Sequence, residues 1–322
     1  MFKSLGKLMG GGKKEPAAQP FEVPPPNPEN PPLVPCLAPF PFTGEKKVYN
    51  GYTYTAPGDA DFLSFRQLVD DTNGWTLRCE RDGNMYAWDR PLPGEQMRLI
   101  KAFGIFEGVP PERLYDLLQD PEYRIEWDQN RLDGFCFTHL TDRCDIGYYA
   151  AKVTKPVANR DFVNMRSWRQ LGAGEYIIMS TSVPVAECPP KQGLVRAVVR
   201  VSGYLVRPYG DGGCSVTYVS HSEPKGWLPS YFINQLTSKI APNVIGSMRS
   251  AVAKYPDWIA AQGDKYKRVR DVSETPWPAP QPNLTYQWVE ERKASGAAAS
   301  PPVAAVDDAD ENEQPPEGEA TQ

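Results

Sequence analysis

Residues 194–222 read LVRAVVRVSGYLVRPYGDGGCSVTYVSHS. Two runs rich in Val, Leu, Tyr and Thr flank Gly210-Asp211-Gly212-Gly213. β-Branched and aromatic side chains suit a pleated backbone, and a Gly-Asp-Gly-Gly stretch reverses a chain. The pattern predicts neighbouring strands at 194–206 and 214–222. Moving toward the N-terminus, similar runs predict strands at 175–183, 160–170, 145–153 and 131–141, with Gly172-Ala173-Gly174 as a turn signal, and three shorter ones at 97–106, 84–89 and 75–80. Many consecutive strands joined by short turns imply an antiparallel sheet.

Helical patterns punctuate this series. In Asp59–Asp71, Phe62, Phe65, Leu68 and Val69 recur at helical spacing. Pro110 and Pro111 open a helix through Gln119. Asp120-Pro121 begins another, because Asp caps orphan amides and Pro suits the first turn; it carries Tyr123, Arg124, Trp127 and Asp128. Beyond the last strand, residues 229–255 read as a long helix with apolar positions Phe232, Ile233, Leu236, Ile240, Val244, Ile245, Met248 and Val252. Pro242 is expected to kink it. The fold class is α+β: a curved antiparallel sheet closed by a long C-terminal helix, an arrangement able to enclose a ligand in place of a solid core.

The ends differ in composition. Of 34 prolines in 322 residues, seven crowd positions 24–35, and such a run is extended or disordered. Before it, Phe2, Leu5, Leu8 and Met9 fall on one helical face beside Lys3 and Lys7; the stretch is too short to be a stable helix alone. Asp307, Asp308, Asp310, Glu311, Glu313, Glu317 and Glu319 make the C-terminal end acidic. The expected organisation is a Pro-rich disordered segment over 1–45, one folded domain over 46–270 and a disordered acidic tail over 271–322.

Several function classes recede. A net charge of −5 argues against a nucleic-acid partner. No apolar run approaches the roughly 20 residues that span a bilayer, and the N-terminus lacks a signal-peptide core, so a cytoplasmic protein is expected. Cys36, Cys79, Cys136, Cys144, Cys188 and Cys214 are scattered without a CxxC pair, which indicates neither a disulfide framework nor a zinc site. His139 and His221 are the only histidines and fall on different predicted strands. No GxSxG, HExxH or P-loop is present, so the reading is not an enzyme, with no cofactor and no metal.

Tyr123-Arg124-Ile125-Glu126-Trp127-Asp128, Asp145-Ile146-Gly147-Tyr148-Tyr149, Asn159-Arg160-Asp161-Phe162, Tyr176-Ile177-Ile178-Met179, Pro189-Pro190-Lys191, Leu194-Val195-Arg196-Ala197-Val198, Gly203-Tyr204-Leu205 and Pro224-Lys225-Gly226 together resemble the StAR-related lipid transfer (START) domain, and within it the phosphatidylcholine-transfer branch. The resemblance covers about residues 59–262. It implies a helix-grip fold around a lipid cavity, one phospholipid per monomer, phosphatidylcholine or phosphatidylethanolamine, and transient contact with a membrane surface.

The resemblance also implies site residues. The phosphate arginine of that branch matches Arg124, with Asp128 four residues on and therefore on the same helix face. The planar guanidinium suits a phosphate because it donates parallel hydrogen bonds. The headgroup cage matches Tyr149, Phe162 and Tyr204, whose π faces suit a quaternary ammonium. Tyr149 stands where the branch has a tryptophan and Phe162 where it has a tyrosine, which puts a tight choline cage in doubt. Trp227, Phe232, Ile233, Leu236, Ile240 and Pro242 are the expected lid and membrane contacts, and Thr154–Asn159 is a second candidate gate. Strand alternation leaves one question open. On an undisturbed strand Tyr204 shares a face with Arg196 and Arg200, opposite Val195, Ala197, Val199, Val201 and Leu205, which look like the inner wall. Either a bulge at Gly203 reverses the alternation, or the arginines lie beyond the covered part of the sheet. Competing readings are a sterol carrier of the same fold and a lipid-sensing adaptor whose Pro-rich residues 20–42 present a polyproline ligand.

Overall fold

A computed structural model describes residues 42–229, 241–263 and 284–295. The Pro-rich segment before residue 42, the amphipathic start, the 307–319 acidic run, and Phe232, Ile233, Leu236 and Ile240 lie outside the described residues. A short hairpin, β1 (Lys46–Tyr49) and β2 (Tyr52–Thr55), comes first. The sequence reading passed over it, although its turn, Asn50-Gly51, is a strong hairpin signal and both residues take positive φ. Helix α1 (Asp59–Asp70) follows, then β3 (Thr76–Arg81), β4 (Met85–Arg90) and β5 (Leu99–Phe106). Helices α2 (Pro111–Gln119) and α3 (Pro121–Trp127) lead to β6 (Arg131–Thr141), β7 (Cys144–Ala151), β8 (Asn159–Leu171), β9 (Glu175–Ser182), β10 (Leu194–Arg196), β11 (Val198–Tyr209) and β12 (Gly213–Glu223). Helix α4 (Ala241–Gln262) and helix α5 (Leu284–Ala294) complete the described chain.

Ten strands form one sheet in the order β3-β4-β5-β12-β11-β9-β8-β7-β6, with β10 beside β8. Every pairing in it is antiparallel except β10 with β8. The single strand expected over 194–206 is thus two. Ala197 breaks it, donating its amide to Asp161 O at 3.0 Å, where β10 leaves the side of β8 and the chain crosses to β9.

The two faces of the sheet bury different helices. On the outer face, Phe62, Phe65, Leu68 and Val69 of α1 pack on Ile177, Met179, Val201 and Leu205. Gly203 makes this close approach possible, since a Cβ there would stand 2.7 Å from Phe65 Cζ and 2.2 Å from Ile178 O. Charge pins the same helix: Arg207 forks onto Asp70 at 2.6 and 2.8 Å, and Glu175 accepts from Arg66, all four side chains being buried. On the inner face, α2 and α4 pack through Leu114, Leu117, Ile245, Met248 and Val252 against Phe106, Trp168, Ile178, Val206 and Val216. Gly104 lets α4 approach, because a Cβ would meet Ile245 Cγ2 at 2.5 Å.

Three differences from the sequence reading stand out. Val201 and Leu205, read as inner wall, lie against α1 on the outer face. The C-terminal helix, expected to end at Tyr255, runs on through Pro256 to Gln262; the expected stretch before Ala241 lies outside the described residues, and Pro242, where a kink is expected, stands at their edge. Within 271–322, expected to be disordered tail, α5 packs Val289 and Trp288 against Tyr86 and Trp88 on the outer face. Arg292 fastens it to Glu80 at 2.9 Å. No described helix is long and apolar enough to cross a membrane. Cys79, Cys136, Cys144, Cys188 and Cys214 are free thiols.

Candidate functional site

The inner face of the sheet, α3 and α4 line a cavity of about 1790 Å³. Its best-built wall starts at Asp120. The Asp120 carboxylate caps α3 by accepting from the amides of Glu122 and Tyr123 at 3.0 and 2.8 Å, and it also accepts the Tyr255 hydroxyl at 2.9 Å. Tyr123 donates to Ala251 O at 2.8 Å, and its ring lies 4.8 Å from that of Tyr255. Helix α3, too short to hold itself, is therefore fixed to α4 at two points. Arg124, the next residue, borders the cavity.

Arg124 Nε donates to Asp128 Oδ2 at 3.0 Å, and Tyr149 donates its hydroxyl to the same oxygen at 2.8 Å. The guanidinium lies 5.1 Å from the Tyr149 ring centre and 5.6 Å from that of Trp127. Burial works against its charge, but Tyr204, Tyr149 and Asp128 outweigh it and raise the arginine pKa above its ordinary value. Burial also lifts the Tyr149 and Tyr204 hydroxyls well above the usual phenol range, so both stay neutral at neutral pH.

Tyr149 on β7 is directly opposite Phe162 on β8, with ring centres 6.2 Å apart. Tyr204 also borders the cavity, and its ring lies 4.9 Å from that of Tyr218 on β12, tilted 32° to it. The register of β11 against β12 shifts between Val199 and Val201. This bulge absorbs Arg200 and turns the following residues over, so Val199 borders the cavity, Val201 packs on α1, and Tyr204 faces inward. A bulge does reverse the alternation, but at Arg200 and not at Gly203. Arg196 and Arg200 are spent elsewhere, on Asp161 and Glu223.

Thus Arg124, Asp128, Tyr149, Phe162 and Tyr204 share one cavity. Of the expected lid residues, Pro242 is buried and borders the cavity; Trp227 is half-buried, and its carbonyl accepts from Arg160 at 3.3 Å. Thr154, at the second candidate gate, borders the cavity too.

Sequence reasoning missed a second charged pair in this space. Arg166 on β8 grips Asp145 on β7 with two hydrogen bonds, 3.0 and 2.5 Å. Burial opposes the Arg166 charge, the bonds to Asp145 raise its pKa, and Arg124 is near enough to push back. Twenty-one residues separate the two, so only the β7–β8 register, Asp145 opposite Arg166, reveals the pair. Trp127 Nε1 and Tyr218 were missed as well. The indole nitrogen is buried without a hydrogen-bond partner among the described residues, on a side chain that borders the cavity.

Comparison with known proteins places this architecture. The START domain model matches residues 58–257. START domain-containing protein 10 of Homo sapiens is 36% identical over 237 residues, covering 73% of this chain and 81% of that protein. Phosphatidylcholine transfer protein of Mus musculus is 28% identical over 158 residues, 48% of this chain and 73% of that protein. The crystal structure of human STARD10 superposes with a TM-score of 0.64 at 36% identity, covering 70% of this chain and 91% of that one. With its family model matched over most of the folded residues and this fold and cavity, the chain belongs to the START domain family.

Proposed function

We propose that this protein binds one glycerophospholipid, phosphatidylcholine or phosphatidylethanolamine, in its internal cavity and carries it between membranes as a soluble monomer. The observation that carries the reading is the Arg124–Asp128–Tyr149 constellation inside a large cavity. The Arg124 guanidinium, paired with Asp128 through Nε, presents its other N–H groups to a partly apolar space, where an anion is the strongest partner. Asp128 occupies Nε and fixes the orientation of the fork, and the remaining N–H groups suit a phosphate. A cavity of about 1790 Å³ exceeds the roughly 300–1,000 Å³ that drug-sized ligands fill, which suits two acyl chains. The names of two relatives, a phosphatidylcholine transfer protein and a START domain-containing protein, agree with this assignment.

Tyr149, Phe162 and Tyr204 supply aromatic faces for a cationic headgroup. Because Phe162 lacks a hydroxyl, the cage holds choline less tightly and leaves room for ethanolamine. Trp227 and the helix ending at Gln262 are the elements assigned to membrane contact and release. The role assigned is carriage without chemistry.

Native mass spectrometry of the purified full chain, followed by headgroup analysis of extracted lipid, tests the reading. One bound choline or ethanolamine glycerophospholipid per monomer, with transfer between vesicles on adding protein, is the expected result. A retained sterol favours the sterol carrier, and bound phospholipid without transfer favours the adaptor; either overturns the proposal.

A further inference from the structure

Strand β6 lies at one end of the sheet, beside β7 alone. Cys136 and His139 on it are three residues apart, an odd spacing that puts side chains on opposite faces of a regular strand. The register says otherwise. Cys136 is opposite Gly147, Thr138 opposite Ile146, and His139 opposite Asp145. One extra residue, Phe137, is absorbed in the shift between Cys136 and Thr138, and such a bulge re-aims the side chains beyond it. Cys136, His139 and Asp145 therefore share a face, and all three border the cavity. Their sulfur, nitrogen and oxygen ligand atoms lie within 4.8 Å of one another.

We propose that Cys136, His139 and Asp145 form a divalent transition-metal site, suited above all to zinc, with a fourth position open to the cavity. The sequence reading set zinc aside because no CxxC spacing is present, but spacing along the chain is irrelevant when a bulge and a strand pairing assemble the ligands. A thiolate, an imidazole and a carboxylate are a borderline-soft donor set that zinc takes, and three protein ligands with an open fourth position are a recurrent arrangement. Bond lengths of about 2.0–2.3 Å put tetrahedral ligands roughly 3.3–3.8 Å apart, so atoms at the 4.8 Å limit close by about 1–1.5 Å. Cys136 and His139 are exposed and have the freedom to do so.

The buried Asp145 is already oriented. Arg166 holds both carboxylate oxygens, the outer-sphere hydrogen bonding that ligating carboxylates use. Each oxygen has two lone pairs, so one bond to arginine leaves a position for metal.

The test is Co²⁺ titration of the chelator-treated full chain, followed by absorbance, with Zn²⁺ competition. One equivalent should bind with a thiolate-to-cobalt charge-transfer band and be displaced by Zn²⁺. Cys136→Ser should abolish the band, and His139→Ala should weaken binding at least tenfold, while thermal unfolding of both metal-free variants stays near wild type because the side chains are exposed. Cys188→Ser, a buried thiol away from the cluster, should keep the band if it folds. Absence of stoichiometric binding, or a band that survives Cys136→Ser, overturns the assignment.

Discussion

Replacing Arg124 by Met separates its structural role from its ligand role. Arg124 and Asp128 are joined at 3.0 Å, with 30% and 10% of their side chains exposed. Breaking a fully buried pair costs about 3–5 kcal/mol, and an exposed one less than about 1. At this intermediate exposure, Arg124→Met should cost about 1–2 kcal/mol, mostly from leaving the Asp128 charge with only the Tyr149 hydroxyl. In a domain of this size that lowers Tm by roughly 2–8 °C. Adding Asp128→Asn removes the stranded charge and should restore most of the loss. Ligand retention should behave differently. Two hydrogen bonds to a charged phosphate are together worth about 3 kcal/mol or more, roughly a hundredfold in affinity, and the second substitution supplies no donor to replace them. Differential scanning fluorimetry reads the first quantity, and native mass spectrometry with a vesicle transfer assay the second. A double variant that is stable and carries phospholipid at the wild-type level would refute the phosphate role of Arg124; one that stays unstable would refute the account of the stranded carboxylate.

Three further outcomes follow from particular contacts. Tyr149→Phe keeps the ring but loses the 2.8 Å bond to Asp128, so it should cost about 1 kcal/mol of stability with choline-lipid binding preserved, whereas Tyr149→Ala should weaken choline lipids more than ethanolamine lipids in a competition assay. Gly203→Ala drives a methyl toward Ile178 O and Phe65 and should destabilise by about 1–3 kcal/mol in chemical denaturation, with Phe65→Leu partly rescuing it. Lys101 is buried against α1, donating to the carbonyls of Val69 and Asp71 at 2.8 and 2.6 Å, and burial lowers its pKa to about 7. Between that value and the ordinary 10.5 the unfolded chain binds a proton that the folded chain does not. Its contribution to stability is therefore largest above pH 10.5, falls as pH drops, and is lost below about 7. Relative to Lys101→Met, wild type should gain up to about 1.4 kcal/mol per pH unit across the window in urea melts.

Local signals carried much of the architecture. The strands from 75 to 222, α1 through Phe62, Phe65, Leu68 and Val69, and the Asp120-Pro121 start of α3 are legible because period, caps and turns act over a few residues. Arg124 with Asp128 is equally local, an i,i+4 pair on one helix. Two local signals went unused: Asn50-Gly51, and the Tyr286, Trp288 and Val289 cluster, aromatic and apolar residues set in a polar tail.

What tertiary structure alone decided has one physical origin, the register between strands. A residue's face depends on every bulge before it. The shift at Arg200 sends Val201 and Leu205 to α1 and Tyr204 into the cavity, and the shift at Phe137 brings Cys136 and His139 to the side of Asp145. Neither bulge is marked by a glycine or proline at the displaced residue. The Arg166–Asp145 pair and the clamp of α1 by Arg66, Asp70, Glu175 and Arg207 likewise join residues far apart in the chain. The sequence by itself determined which segments form strands and helices, since that is a matter of local propensity and pattern. Which charged and aromatic groups meet inside was decided only when the sheet closed, because hydrogen-bond register across strands, and not distance along the chain, sets those contacts.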